Sequence, residues 1–542
     1  MQFNFYGRGF PLRVAITVAC QLAFVLFGYD QGVFSGIVGN EDFKEKAGYP
    51  GDSLLGIIVS IYNLGCFTGC VLAFFFADYF GRRRSMWIAM VWIIVGAVLQ
   101  TSAFSVPHLM IGRYITGIGT GIETSTTPVY HSELCEARLR GRLVSSQPLF
   151  VGVGIVISYW FDYGMSFAGG AISWRLPIGC QIIFALVVIV MVFGLPESPR
   201  YLCKLGRNDE ALKVLKDVYH GRPEEVTQSE YQDIIDVVTL ETERGEYKWS
   251  QILKQDQVQT GRRVLLAYGM QFMNQVGGIN LVVYFIPTVL EDNVGLTRNL
   301  SLLLGGVIQI MFVIGSLVPT FFLDRLGRRR PMMLGSFGLG MCMMMIAILL
   351  SFKDKPQEKS TASASVAFFF LVGSSARSPP YAQLITDDRA QYMLIFGASV
   401  NCVPWVYVPE ILPLHARAKG TAVGISSNWI WNFFVVMITP IIINRLQYKA
   451  YLIFMCTNLA FVPLVYFCYP ETANLTLEEI DYLFVQGQSS VKESKRRARA
   501  RKHGASGVGD LRGGSVGGHK ESYANGLGDK GEVDVDHVDE KV

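Results

Sequence analysis

The chain has 542 residues, of which 51% are hydrophobic, 17% are charged and 12% are aromatic, and its formal net charge is +4. Soluble domains carry roughly 25% charged residues, so this composition argues against an ordinary soluble enzyme. The aromatic content excludes disorder over most of the chain, and the small net charge gives no reason to expect a nucleic-acid partner. Many apolar runs are about twenty residues long, enough to cross roughly 30 Å of hydrocarbon, which indicates a polytopic membrane protein.

Twelve apolar runs follow one another along the chain, six on each side of a polar, charged segment at 196–262. They lie near 12–36, 54–77, 86–105, 109–131, 144–163, 175–195, 264–290, 300–322, 331–352, 366–409 (interrupted), 418–443 and 449–469. Within the polar segment, 208–219 and 229–243 have apolar residues at helical spacing. We therefore expect an all-α membrane protein with twelve transmembrane helices in two six-helix bundles and a cytosolic helical linker domain. The expected divisions are 1–11, 12–195, 196–262, 263–469 and a largely disordered tail at 470–542.

An acidic residue, Asp30, follows the apolar run of the first span and is expected to lie within the membrane. Intramembrane acids are costly and usually functional. Arg113, which opens the fourth span, is the natural partner. A carboxylate in such a place can carry a proton, and the alternative is a static ion pair that holds spans 1 and 4 together.

Three short motifs of the first half recur in the second half, in the same order, which indicates two homologous halves. Each half has an Asp-x-x-Gly-Arg-Arg loop, a Glu seven residues before an Arg, and a Pro-Glu-Ser/Thr motif. Charged pairs among these residues can close the cytosolic side of a transporter, or they can serve only to set the topology. The expected gating residues are Asp78, Arg82, Arg83, Glu133 and Arg140, and their counterparts Asp324, Arg328, Arg329, Glu410 and Arg417.

Polar amides are concentrated in span 7, at Gln271, Asn274, Gln275 and Asn280. Gln271 and Gln275 are one helical turn apart and share a face, and two glycines loosen the helix before Asn280. Amides that faced lipid would be expensive, so they are expected to face a substrate cavity or a neighbouring helix.

Span 10 is interrupted by residues 372–391, which contain two prolines and four charges and cannot cross hydrocarbon as a helix. Deleting this segment restores a continuous apolar span. We consider it the translation of a retained short intron, and the alternative is a genuine extracellular insertion with the span beginning at 392.

The short loops that carry the Arg and Lys residues alternate with loops that are poorer in them. The positive-inside rule therefore places the basic loops, the linker and both termini in the cytosol of a multi-pass cell-membrane protein in the lipid bilayer.

The ten cysteines and seven histidines show no spacing typical of a disulfide or metal site, and we expect no metal, no cofactor and no enzymatic activity.

The repeated motifs, the span 7 amides, Pro404-Trp405 and Asn428-Trp429 resemble those of the sugar porter family of the major facilitator superfamily. The Gly28–Val33 stretch and the polar tail look most like fungal proton-coupled sugar or polyol transporters. The resemblance implies an Asp30–Arg113 pair that breaks on protonation, an outer gate at Tyr284, and an aromatic cover over the sugar at Trp405. The implied substrate-binding residues are Gln147, Gln271, Asn274, Gln275, Asn280, Trp405 and Asn428.

Two departures from the family pattern suggest an altered substrate. Pro148 stands where the family has a Gln, beside Gln147, and Phe312 replaces an Asn of span 8. The expected function is proton-coupled transport of a monosaccharide, disaccharide or polyol by a monomer that works by alternating access. The alternatives are a facilitative uniporter, against which Asp30 argues, and a non-transporting sugar sensor.

Overall fold

The computed structural model describes residues 5–135, 142–243, 256, 258–352, 391–413, 416–473, 475, 477–484 and 490–494. The long helices of the first half are α1 (Phe10–Val38), α3 (Asp52–Phe80), α4 (Arg82–Thr101), α5 (Val106–Leu134), α6 (Gln147–Met165) and α7 (Ile172–Phe193), with a short α2 (Glu41–Lys46) after α1. The linker contains α8 (Pro199–Lys204), α9 (Asn208–Val218) and α10 (Glu224–Glu243). Both helices predicted in the linker are therefore present.

The second half begins with a pair of helices that together form one span, α11 (Thr260–Val276) and α12 (Ile279–Val294). It continues with α13 (Arg298–Leu326), α14 (Arg329–Leu350), α15 (Gln391–Ala398), α16 (Val403–Ile411), α17 (Arg417–Leu446), α18 (Lys449–Cys468) and α19 (Leu477–Phe484). All regular secondary structure in the described ranges is helical, which confirms the all-α prediction. The anomalous segment 372–391 lies outside the described residues, apart from Gln391 at the start of α15.

Eleven helical segments among the described residues are long and apolar enough to cross a membrane. Helix α5 is the remaining member of the twelve predicted spans, and at 29 residues it is as long as α1. Its mean hydropathy is lowered by Arg113, Glu123 and a series of threonines, whose side chains are buried inside the first half. A span can carry such residues because protein, not lipid, surrounds them.

The break in span 7 coincides with its two glycines, as the sequence predicts. Helix α11 ends at Val276, and α12 begins at Ile279 after Gly278, whose φ is +95°. That conformation strongly favours glycine, because a Cβ would clash with the backbone. The interruption turns the amides on either side of it towards a common space between the halves.

Close backbone contacts hold the helices of the first half together. Helix α1 packs against α6, and α5 packs against α3 and α4. A Cβ placed on Gly28 would lie 1.9 Å from the carbonyl oxygen of Val151, and one on Gly154 would lie 2.0 Å from that of Val25. Small residues at such contacts let membrane helices approach closely, and dispersion forces then stabilise the pair.

The two halves meet along three pairs of helices: α1 with α12, α3 with α17, and α6 with α13. Each pair joins one helix of the first half to one of the second. The resulting space between the halves is bounded by α1 and α6 on one side and by the broken span α11–α12 on the other. The candidate site lies there.

We predict that Gly154→Ala destabilises the fold by about 1–3 kcal/mol, because the added methyl group overpacks the α1–α6 contact. Thermal unfolding of the detergent-solubilised protein measures this change. Gly164→Ala is the matched control, since Gly164 lies on the same helix and a Cβ there meets nothing within 4 Å. Equal melting temperatures for the two variants would contradict the prediction.

Candidate functional site

A cavity of about 60 Å³ lies between the two halves, which is room for a few water molecules. Both halves contribute to its wall. The first half supplies Phe24, Phe27, Gln31, Pro148, Val151 and Ile155, and the second half supplies Asn274, Gln275, Ile279, Asn280, Val283, Phe312, Phe396, Asn401, Trp405, Asn428 and Asn432.

The polar wall of the cavity is an amide network centred on Gln275. Its Nε2 donates to Oδ1 of Asn274 at 2.9 Å and also to Oδ1 of Asn428. Its Oε1 accepts from Nδ2 of Asn280 at 2.8 Å, and Asn274 donates to the backbone oxygen of Val400 at 2.9 Å. Because each amide fixes its neighbour, the network presents donors and acceptors in defined positions.

The opposite wall is mostly apolar, with Gln31 as its polar member. Phe24 and Phe27 of α1 contribute aromatic rings to this wall. None of the described residues that line the cavity is charged. A ligand with hydroxyl groups on one side and C–H groups on the other would match these two walls, since buried hydroxyls need hydrogen-bond partners and C–H faces pack on aromatic rings.

Five of the seven predicted substrate residues line this cavity, namely Asn274, Gln275, Asn280, Trp405 and Asn428. The other two are placed elsewhere. The Nε2 of Gln147 lies 3.3 Å from Nδ1 of His131, while its neighbour Pro148 lines the cavity. Gln271 is fully buried one turn below Gln275, away from the lining residues.

Sequence reasoning did not single out Gln31 and Asn401 as lining residues. Gln31 lies four residues after Phe27, on the same face of α1, and Asn401 lies four residues before Trp405. The sequence does not single out Phe27 either, so helical spacing offered no starting point for Gln31. It could not have found Asn401, which lies in the turn between α15 and α16.

Asp30 and Arg113 are both buried in the first half, beside the cavity rather than in its wall. Neither carboxylate oxygen of Asp30 has a hydrogen-bond partner among the described residues. Arg113 donates to the backbone oxygen of Val59 at 2.9 Å, and its guanidinium carbon lies 3.5 Å above the ring of Phe34. The predicted partners thus interact electrostatically without forming a hydrogen-bonded ion pair in the described structure.

Hydrogen bonds between the halves close the cavity on the side of the α1–α2 loop. Tyr159 of α6 donates to the backbone oxygen of Val283 at 2.6 Å, and Arg298 donates to that of Gly36 at 2.7 Å. Tyr284, the predicted outer gate, is completely buried on α12 and interacts electrostatically with Arg113. It therefore lies between the halves, although it does not line the cavity.

On the opposite side, Sγ of Cys402 lies 3.2 Å from the backbone oxygen of Ser145 across the interface. This end carries the two Gly-Arg-Arg loops, and we call it the basic end. Contacts between the halves therefore lie on both sides of the cavity.

The repeated motifs of the second half meet in one cluster at the basic end. Arg328 forms a bidentate pair with Glu410, with nitrogen–oxygen distances of 3.1 and 2.7 Å, and a further bridge of 3.1 Å to Asp324. Glu471 accepts hydrogen bonds from the backbone N–H groups of Arg328 and Arg329 at 2.8 and 3.1 Å. The Pro-Glu-Thr motif therefore caps the helix that the Gly-Arg-Arg loop begins.

The first half repeats this arrangement. Arg82 pairs with Glu133 at 3.3 Å, and Glu197 accepts from the backbone N–H groups of Arg82 and Arg83 at 3.1 and 3.2 Å. Burial raises the pKa of the Glu197 carboxyl, and the backbone N–H groups of Ser198, Arg83 and Arg82 oppose that shift. The three motifs found by repetition in the sequence are thus in contact in each half.

Some of the predicted gating residues cannot be placed in these clusters. Arg140 and the side chain of Asp78 lie outside the described residues. Arg417 donates to the backbone oxygen of Leu412 at 3.4 Å, and the ion pair shown for Glu410 is with Arg328. The pairing of each Glu with the Arg seven residues later stays a prediction.

A family model described as "Sugar (and other) transporter" matches residues 15–376 and 389–484, which is most of the chain. The chain belongs to this family. It is accordingly a multi-pass membrane transporter rather than an enzyme. Its cavity between two repeated halves occupies the position expected for the substrate site of such a transporter.

Several characterised proteins are similar to the chain over most of its length. The MFS-type transporter oryC of Aspergillus oryzae is 38% identical, over 86% of this chain and 84% of its own. The sugar transporter STL1 of Saccharomyces cerevisiae is 32% identical, over 88% and 82%. The proton:xylose symporter XylE of E. coli, in a structure with 6-bromo-6-deoxy-D-glucose, superposes with a TM-score of 0.71 at 24% identity over 87% of this chain and 99% of its own. The fold is therefore the major facilitator fold.

The family match skips residues 377–388, which fall inside the segment 372–391 that interrupts span 10. The match resumes just before α15, where the apolar run begins again. Residues 377–388 of the segment are therefore extra to the family pattern, which both the retained intron and the insertion would explain.

We predict that Gln275→Leu weakens substrate binding about tenfold or more, because Asn280 and Asn428 lose their common partner and each unpaired buried amide costs about 1–3 kcal/mol. The concentration dependence of uptake measures this as a raised KM. Gln181→Leu, a buried glutamine of α7 that does not line the cavity, is the control. An unchanged KM in Gln275→Leu would exclude the network from substrate binding.

We also predict that mature transcripts lack the codons for residues 372–391. Sequencing of messenger RNA across the junction tests this directly. Uniform presence of these codons in mature message would leave the extracellular insertion as the explanation.

Proposed function

We propose that the protein is a proton-coupled transporter of a neutral sugar or polyol in the cell membrane. It works by alternating access of the cavity to the two sides, with the basic end facing the cytosol and a single chain as the working unit. The observation that best supports proton coupling is the buried Asp30 carboxylate. It has no hydrogen-bond partner among the described residues and lies beside a buried arginine and the cavity.

The cavity supports a neutral, hydroxyl-rich substrate. Its amides offer both donors and acceptors, and its opposite wall offers aromatic and aliphatic surface. Relatives of the chain include proteins named as a high-affinity glucose transporter, a galactose transporter and a quinate permease. Quinate is an anion, and a site for it would be expected to hold a cation, whereas the described lining residues include no Lys or Arg. Sugars and polyols therefore fit the cavity better.

The position of Asp30 supports proton coupling. On α1, Phe24, Phe27 and Gln31 line the cavity, while Asp30 is turned into the first half towards Arg113 and Thr120. An ionised carboxylate without a hydrogen bond is strongly disfavoured at a buried site, so the described geometry suits the protonated form. When the proton leaves, the carboxylate requires a charged partner, and Arg113 can supply one by leaving Val59.

The orientation follows from the charges of the short loops. The loops of the basic end carry Arg82, Arg83, Arg84 and Arg328, Arg329, Arg330 close to the ends of spans. Arginine-rich short loops stay in the cytosol. The helical linker and both ends of the chain would then be cytosolic, and the closure by Tyr159 and Arg298 would face the outside.

We predict that Asp30→Asn lowers substrate-induced proton uptake by about tenfold or more, because the amide cannot bind and release the proton. The chain, produced in transporter-deficient yeast, is first tested for uptake of labelled glucose, galactose, xylose and sorbitol. External alkalinisation on addition of the best substrate then gives the ratio of protons to substrate for each variant.

The control is Asp162→Asn, which removes another buried carboxylate of the first half, on α6 near Gly36 and Arg298 rather than Arg113. Its proton-to-substrate ratio is expected to match that of the unmodified protein. If uptake by the unmodified protein does not raise the external pH and is unaffected by a protonophore, the protein is a facilitative uniporter and the proposed coupling is wrong. Unchanged proton uptake by Asp30→Asn would remove Asp30 from the mechanism.

A further inference from the structure

Helix α5 carries a continuous polar stripe through the interior of the first half. Thr116, Thr120, Glu123, Thr127 and His131 follow one another at steps of three or four residues, which places them on one face of the helix. Each has at most 1% of its surface exposed. The stripe begins one turn after Arg113, beside Asp30, and ends two residues before Glu133 of the basic end.

Glu123 is the unexplained residue of this stripe. It is 1% exposed, and its Oε1 has no hydrogen-bond partner in the described part of the chain. No Lys or Arg among the described residues forms an ion pair with it. The titratable groups that interact with it are Asp30 and Cys20 on α1 and Cys70 on α3. A buried acid with no compensating cation is expensive to keep, which points to a functional reason for Glu123.

The end of the stripe is a second titratable group, His131. Its Nδ1 lies 3.3 Å from Nε2 of Gln147, and its Nε2 lies 3.4 Å from Oγ1 of Thr17 on α1. Because the amide nitrogen of Gln147 can only donate, this contact favours the tautomer with the proton on Nε2. Gln147, which the sequence places among the substrate residues, thus orients a histidine in the described structure.

We propose that Glu123 is a second proton carrier, which takes the proton released by Asp30 and passes it through His131 to the basic end. This inference rests on the proposed proton coupling and specifies the part of the proton's path that leads from Asp30 to the basic end. Successive side chains of the stripe are about 5–6 Å apart at Cβ, a gap that carboxyl, hydroxyl and imidazole groups span directly or through one water. The path runs inside the first half and does not pass through the substrate cavity.

The proton balance of each cycle is simple. The Asp30 carboxyl loses its proton and becomes a carboxylate that Arg113 can pair with. The Glu123 carboxyl, which its buried site keeps protonated, gives its own proton through the Thr127 hydroxyl to the neutral imidazole of His131, which releases one proton towards the basic end. The resulting Glu123 carboxylate then takes the proton that leaves Asp30. Asp30 takes up the next proton from the other side of the membrane, so Asp30, Glu123 and His131 return to their starting states and one proton has crossed with the substrate.

The decisive variant is Glu123→Gln, which keeps the size of the side chain but cannot carry a proton. In proteoliposomes, net uptake driven by a proton gradient is expected to fall by about tenfold or more. Exchange of labelled for unlabelled substrate at equal concentrations is expected to stay within about twofold, since exchange does not require the proton to be released inside. The substrate is the best of glucose, galactose, xylose and sorbitol in the uptake panel.

Two further variants separate proton transfer from structure. Glu123→Asp retains a carboxyl group and is expected to recover most of the net uptake, and His131→Gln is expected to slow net uptake while preserving exchange. Thr124→Val is the matched control, because Thr124 lies next to Glu123 but outside the stripe, and its hydroxyl donates to backbone oxygens of its own helix. Its net uptake and exchange are expected to equal those of the unmodified protein.

The outcomes distinguish this inference from the proposed function. Normal net uptake by Glu123→Gln, with coupling still lost in Asp30→Asn, would overturn the relay and leave proton coupling intact. Loss of both net uptake and exchange in Glu123→Gln, without recovery in Glu123→Asp, would show a structural role and also overturn it. Absence of proton uptake in the unmodified protein would refute the proposed function itself.

Discussion

Hydrocarbon offers no hydrogen bonds, and this constraint decides where every polar group of the spans can lie. The amides of span 7, the acids of spans 1, 4 and 5, and the threonines of α5 are all turned inward, where other helices surround them. Close glycine contacts, such as Gly154 against Val25, make this possible because they bring the helices near enough to exclude lipid. The polar interior is thus a consequence of tight helix packing.

The two halves use their polar groups differently. The second half supplies most of the polar surface of the cavity, through Gln275 and its neighbouring amides, whereas the first half buries Asp30, Arg113 and Glu123. Helix α1 connects the two systems, because Gln31 lines the cavity and Asp30, one residue earlier, points about 100° away into the first half. A small rotation or shift of α1 would alter both environments at once. The coupling that we propose between substrate and proton therefore needs no direct contact between them.

The sequence predicts the spans, the break at Gly278 and most of the polar wall, because all three depend on local composition and helical spacing. It does not predict contacts between helices equally well. For Glu133 and Glu410 it suggests an ion pair with the Arg seven residues later, which stays a prediction, and it does not suggest the pairs with Arg82 and Arg328 of the preceding loops that the structure contains. Similarly, Gln147 and Pro148 are adjacent in sequence, but only the rotation of α6 decides which of the two reaches the cavity.

The distribution of ion pairs indicates which parts of the molecule move together. At the basic end, Arg82–Glu133 and Arg328–Glu410 each join helices of one half, and Glu197 and Glu471 add caps within the same halves. The contacts described above between the halves are single hydrogen bonds, such as Tyr159 to Val283 and Cys402 to Ser145. Strong charged contacts within a half and weaker contacts between halves favour motion of each half as a rigid body. In the proposed alternating-access cycle, opening towards either side would separate the packed helix pairs and the single hydrogen bonds between the halves, whereas the charged clusters lie within each half.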